Sequence, residues 1–314
     1  MIRNKKVIRL YVFTIMMIWI ALSISKPLHA NESNLRHNNR IVGGVIASED
    51  EWPWIAALLK NNIQDCGAAL IHSHWVITAA HCLEDKTANY KVLLETYDLA
   101  TDYQDNKYKI KEIIIHPEYN SDTIDNDIAL LELTTDITWI PPLCIYQGSL
   151  ADKTGIALGW GSMNSEQPNG SAPANYPDQL RQVEIPVVSQ KICEEHTTFS
   201  VTDNMFCGGY AEGGKDACWG DSGGPFVINE NYRWFLAGII SWGEACAWPG
   251  YYGYYTRVSN YYSFITSYVP LNQCSSDIDQ NGRLELKDVL MLIKHLSNEN
   301  PNLSFSKGKH EQRQ

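Results

Sequence analysis

Residues 215–226 read KDACWGDSGGPF. Gly220, Gly223 and Gly224 surround Ser222 and open backbone angles that other residues resist. A loop built this way can aim several N–H groups at one point. Taken alone it is equally an ordinary turn, where glycine and serine also collect. Serine is a poor nucleophile at neutral pH unless a base stands beside it and a third group orients that base. The reading of the whole chain therefore turns on whether a histidine and a carboxylate occur in fitting contexts.

Both do. VITAAHC (76–82) places His81 after an apolar strand and beside Cys82. DNDIALLEL (125–133) places Asp127 at the mouth of another apolar strand. Separately these read as a structural histidine at a strand end and a turn aspartate. Together with the serine loop, the order His, Asp, Ser is one of the arrangements in which a serine-hydrolase triad occurs.

The rest of residues 41–269 consists of short apolar segments separated by turns. AALIHSHWVITAA, YKVLLET, YKIKEIIIH, DIALLEL, QVEIPVV and WFLAGIISW read as strands. Polar stretches such as 162–179 lie between them. Helical periodicity is confined to NYYSFITSYV (260–269) until the far end of the chain. The expectation is an all-β unit, or two β halves, closed by one helix and large enough to bury a core. No internal repeat is visible.

The first forty residues have a different texture. Arg3, Lys5, Lys6 and Arg9 precede an uncharged run from Leu10 to Ile24, and PLHA (27–30) ends in a small residue. That pattern predicts a signal peptide over 1–30. A membrane anchor is the alternative, but the apolar run is short for a span. Residues 1–40 carry a net +6 against −11 for the whole chain, leaving −17 on the remainder. Such an acidic chain is a poor nucleic-acid binder. Eight cysteines behind an export leader argue for disulfides. His72, His74, His81 and Cys82 are metal-ligand types at close spacing, but no second ligand cluster follows them.

IVGG (41–44), TAAHC (78–82), DIAL (127–130), GDSGGP (220–225) and SWG (241–243), in this order, resemble the trypsin/chymotrypsin family of serine proteases. The resemblance implies two antiparallel six-stranded β-barrels with a cleft between them, a C-terminal helix, and a protease domain over 41–270. It assigns Ser222 as nucleophile, His81 as base and Asp127 as its orienter, with the N–H groups of Gly220 and Ser222 as oxyanion donors. No cofactor is needed for that chemistry. Residues 31–40 become a propeptide. Cleavage after Arg40 would free the amino group of Ile41 to pair with Asp221, and the activating enzyme is another protease or the enzyme itself.

Asp216 falls at the floor of the specificity pocket, where a carboxylate selects Arg or Lys. Ala217, where a serine often stands, favours Arg. Ser241, Trp242, Gly243 and Gly253 fall on the substrate-binding walls, and Trp219 is unusual bulk at the entrance. The implied disulfides are Cys66–Cys82, Cys193–Cys207 and Cys218–Cys246, which leaves Cys144 and Cys274 as the expected fourth pair. Peptide or protein substrates and a monomer are implied. A homologue without catalysis, acting as a binding module, is the alternative from another class.

DIDQNGRLELKD (277–288) offers Asp277, Asp279, Asn281, Glu285 and Asp288 as oxygen ligands, with Gly282 at the turn. This resembles an EF-hand Ca²⁺ loop, and with the helix LKDVLMLIKHLS it resembles half of a dockerin module over 271–297. It departs from the pattern in ending on Asp288 and lacking an entering helix, and the alternative is a polar turn capping a helix. A second Ca²⁺ candidate is the loop with Glu95, Asp102 and Asp105. Tyr252 matches family members that bind Na⁺ beside the pocket. Residues 298–314 are polar and read as a disordered tail.

Overall fold

In this computed structural model, residues 42–101, 107–165, 175–231 and 233–271 are described. A short strand β1 (Val45–Ile46) leads to β2 (Ile55–Lys60) and β3 (Ile63–His72). Asn61 and Asn62 join the last two with φ of 53° and 65°. A two-residue type I′ hairpin turn demands that conformation, and asparagine tolerates it well. The apolar run expected as one strand over 68–80 is broken at His72–Ser73–His74, so that β4 (Trp75–Thr78) folds back on β3. With β5 (Tyr90–Leu93), β6 (Lys107–Ile115) and β7 (Ala129–Leu133) the order β2-β3-β4-β7-β6-β5 closes into a barrel. Ala56, Ala57, Leu58, Leu70, Ile77, Val92 and Leu130 on these strands are fully buried.

The second half comprises β8 (Cys144–Ile145), β9 (Thr154–Gly159), β10 (Arg181–Pro186), β11 (Met205–Gly208), β12 (Pro225–Glu230), β13 (Arg233–Trp242) and β14 (Gly253–Arg257). They form an eight-stranded sheet in the order β1-β10-β9-β12-β13-β14-β11, with β8 parallel to β13. Its closure differs from that of the first barrel. β10 and β11 meet only through the bridge Val187–Gly208, flanked by Gly209 N–H to Pro186 O at 3.0 Å and Val188 N–H to Cys207 O at 3.1 Å. Pro186 has no N–H to extend the ladder, so pairing stops there.

A helix missed in the sequence, α1 (Gln190–Glu195), is six residues long, too short to show a period. Ser189 caps it, its Oγ accepting the Ile192 N–H at 3.3 Å. The expected C-terminal helix is found as α2 (Tyr262–Tyr268) after a 3₁₀ turn, and it buries Ile265 in the same apolar cluster as the barrel residues. That cluster also takes in Leu158, Val227, Leu236 and Ile239 from the sheet, so it bridges the two halves, while the sheet buries a second cluster around Phe206, Phe226 and Tyr255.

Their contact fixes the serine loop. Gly67 on β3 donates its N–H to the Ser222 carbonyl at 2.7 Å, and a Cβ on Gly67 would lie 2.7 Å from the Gly224 Cα. Backbone cannot yield as a flexible side chain can. Gly67→Ala is therefore expected to lower stability by about 1–3 kcal/mol and to displace Ser222. A thermal melt beside a rate measurement on the same variant checks both.

The structure links Cys66 to Cys82, Cys193 to Cys207 and Cys218 to Cys246. Cys144 is also disulfide-bonded, while Cys274 lies outside the described residues. So do Arg40, Ile41, Asp102, Asp105, the loop residues Asp277, Asp279, Asn281, Glu285 and Asp288, and the leader and tail segments.

Candidate active site

His81 opens a 3₁₀ turn directly after β4, behind the buried Ala79 and Ala80. Asp127 sits one residue after Asn126, whose φ of 57° turns the chain into β7. The two side chains meet between these elements. Asp127 Oδ2 lies 2.8 Å from His81 Nδ1, and Oδ1 accepts the His81 backbone N–H at 2.9 Å. Asp127 is 1% exposed, so nearly all its hydrogen bonding must come from protein. Burial opposes a charge on the imidazole. The charge and hydrogen bond of Asp127, with smaller pulls from Glu84 and Asp65, outweigh it and hold His81 above its ordinary pKa.

Ser241 has a second contact besides the cavity wall. Its hydroxyl donates to Asp127 Oδ2 at 2.5 Å, so it belongs to the aspartate's shell as well as to the cavity wall. Trp242 stacks on Tyr254 with ring centres 3.8 Å apart and lines the cavity beside it.

Ser222 is partly exposed and lines the same cleft as His81. The surrounding N–H groups divide into two sets. Those of Asp221, Gly223 and Gly224 donate to the carbonyls of Cys218, Ile240 and Asp221. Among the described residues, those of Gly220 and Ser222 donate to no protein acceptor. Gly220 takes φ of 91°, a conformation side-chain-bearing residues rarely adopt. Its carbonyl is held from the first barrel by Gln64 Nε2 at 2.9 Å. Nothing in the sequence marks Gln64, because its partner lies 156 positions away.

Behind the serine a cavity of about 550 Å³ runs inward to Asp216, which is 2% exposed. Asp216 Oδ2 accepts the Ala247 N–H at 3.0 Å, and Oδ1 has no hydrogen-bond partner. Burial raises its pKa to about 8, against the hydrogen bonds from Ala247 and Ala217 and with help from the charge of Asp221. Gly243 and Gly253 line the cavity with Ala217, and a Cβ on Gly253 would lie 2.8 Å from Asp216 Oδ1. The Tyr255 hydroxyl, unmarked in the sequence, also lines the cavity and is buried without a partner.

Asp221 is fully buried, and among the described residues its carboxylate receives only the N–H groups of Gly161 at 2.7 Å and Cys218 at 2.9 Å. Among the described residues no cationic side chain pairs with it. Burial raises its pKa to about 7 against those two bonds. Val42 is buried against Cys218, Cys246 and Ala247, and its carbonyl accepts the Asp216 N–H at 3.0 Å.

The metal candidates fare unequally. Glu95 is exposed and accepts the Tyr108 hydroxyl at 3.3 Å. Tyr252 is buried and packs edge-on against His196, as a core aromatic does. Among the described residues the only close group of ligand types is Cys66, His81 and Cys82, and the disulfide takes both sulfurs.

A buried aspartate bonded to a half-buried histidine, with a partly exposed serine lining the same cleft where a closed β-barrel abuts a second β-sheet, fits a serine-protease architecture. The Trypsin family model matches residues 41–265, and the chain belongs to that family. It is 38% identical to vitamin K-dependent protein C of Mus musculus over 249 residues, covering 76% of this chain and 54% of that protein. The same protein of Oryctolagus cuniculus is 37% identical, with 73% and 52% covered. Transmembrane protease serine 11C of Mus musculus is 35% identical, with 74% and 54% covered. The chain thus spans about half the length of the curated relatives it matches. Among the described residues no helix is long and apolar enough to cross a membrane.

Proposed function

We propose that the chain is an exported serine endopeptidase, made as an inactive precursor, that hydrolyses peptide bonds after arginine. The observation that carries this reading is the cavity that joins Ser222 and His81 at its mouth to the buried, half-satisfied carboxylate of Asp216 at its floor. A guanidinium entering it gives Asp216 Oδ1 its missing partner and places the adjoining carbonyl over Ser222. Ser222 Oγ attacks that carbonyl while His81 takes its proton. Asp127 fixes the imidazole's tautomer and stabilises the imidazolium. The oxyanion falls to the two unengaged N–H groups of Gly220 and Ser222. His81 then protonates the leaving amine, and water repeats the sequence on the acyl-enzyme. Turnover of an arginyl p-nitroanilide, set against leucyl and phenylalanyl analogues, tests the reading. Preference for the apolar substrates overturns it.

Asp216 must be ionised to hold a cation, and its proton leaves at about pH 8. The sign follows. Below that pH a cationic ligand must displace the proton, so affinity climbs as pH rises and levels off above about 8. Benzamidine, which needs the pocket and not the nucleophile, is expected to bind about 50-fold more tightly at about pH 8 than at about pH 6. Calorimetry across that range checks it, and a flat profile contradicts it.

Activation concerns Asp221. Its folded pKa of about 7 is raised above the ordinary carboxylate value, so its ionisation destabilises the fold as pH climbs between the two. An amino terminus freed at Ile41 would offset that cost by pairing with the carboxylate. Val42 is buried against Cys218, which supports this reading. Arg40→Gln is expected to give an inert chain where the wild type matures, measured as arginyl amidase activity with N-terminal sequencing. Full activity in a chain uncleaved at Arg40 refutes the switch.

A further inference from the structure

A second cavity of about 610 Å³ lies on the other side of the serine. It shares only His81, Trp219 and Ser222 with the cavity that ends at Asp216. If the residue before the scissile bond enters the first, the residues after it must run through the second.

The chemistry of this groove is one-sided. Among the described residues, the charged groups lining it besides His81 are Asp65 and Asp178, both exposed. Asp65 is the extra residue of a β-bulge in β3, where Leu58 pairs with Cys66 and Leu59 with Gln64. Bulges re-aim a side chain, and this one lies beside the Cys66–Cys82 disulfide on the groove wall. The charge of Asp65 reaches His81. Asp178 is anchored from the other half, its carbonyl accepting the Leu99 N–H at 2.8 Å. Trp219 and Tyr176, 62% and 54% exposed, line the same groove. Aromatic faces leading to carboxylates match one kind of side chain, a long aliphatic stem with a cation at its end.

We propose that this groove selects Lys or Arg among the residues that follow the scissile bond, through Asp65, Asp178 and the face of Trp219. The proposal rests on the endopeptidase reading and adds a second basic determinant to it. The preferred substrates are basic on both sides of the cut.

The test uses the full chain cleaved after Arg40 and three fluorogenic peptides with arginine before the scissile bond. They differ only in the second residue after it, which is lysine, norleucine or glutamate. Cleavage is expected in the order lysine, norleucine, glutamate, with kcat/KM about tenfold apart between the extremes at low salt. The gap should narrow in high salt, as exposed charges are screened. Asp65→Asn/Asp178→Asn should bring lysine down to the norleucine level. Trp219→Ala should lower lysine and norleucine together relative to glutamate. Each ratio is read within one enzyme, so a general loss of activity cancels. Equal cleavage of the lysine and glutamate peptides by wild type, with arginyl p-nitroanilide turned over, overturns the groove alone. An unchanged ratio in the double variant does the same. Failure of the wild type on the anilide overturns the endopeptidase reading instead.

Discussion

Ser222→Ala is expected to lower kcat on an arginyl substrate by about 10⁶ while leaving the melting temperature within a few degrees of wild type. The size follows from the loss of the only group positioned to form the acyl-enzyme. The pair between His81 and Asp127 and the N–H groups of Gly220 and Ser222 would remain, and these supply a residual rate through charge stabilisation. The fold should tolerate the change because Ser222 is held through its carbonyl by Gly67, and alanine keeps that bond. The measurement pairs steady-state kinetics with labelling by an organophosphate, which should vanish. Near wild-type turnover would refute the mechanism. Asp127→Asn belongs to the same test. It keeps the shape but no longer favours the required tautomer, and about a 10⁴-fold loss is expected.

Asp216→Ser is expected to cut kcat/KM for arginyl substrates by about 10⁴ while sparing small apolar ones. A guanidinium brought into this cavity loses water, and without Asp216 nothing of opposite charge meets it. The wild-type cavity faces the converse problem, since Asp216 Oδ1 is buried without a partner and its pKa is pushed to about 8. Removing the carboxylate should therefore raise stability slightly as it destroys selectivity. Kinetics with arginyl and leucyl substrates and a melt at about pH 8 test both halves. Loss of stability with unchanged selectivity would mean that Asp216 serves the fold instead.

Much of this was legible from residues because it is local. The glycines around Ser222 announce a backbone that only glycine adopts easily, and Gly220 and Gly223 do take positive φ. The apolar segments announced β7, β10 and β13, and the Asp–Ile–Ala–Leu run placed a carboxylate at a strand mouth, where it meets His81. Less was legible where length or register decides. A six-residue helix carries too few turns to show a period, and a strand broken by His72–Ser73–His74 looks continuous in composition.

What the sequence determined by itself is therefore the set of candidate catalytic residue types, their order, and the strand-rich framework that carries them. These depend on backbone preference and short-range pattern, which neighbouring residues encode. The tertiary structure alone decided that Ser241 holds Asp127 across 114 positions and that Gln64 holds Gly220 across 156. It alone decided that the sheet meets its own edge through one bridge, and that Asp216 and Asp221 lie deep enough to keep their protons near neutrality. The reason is physical. Desolvation and long-range hydrogen bonding are set by which distant segments exclude water from a group, and no local spacing records that.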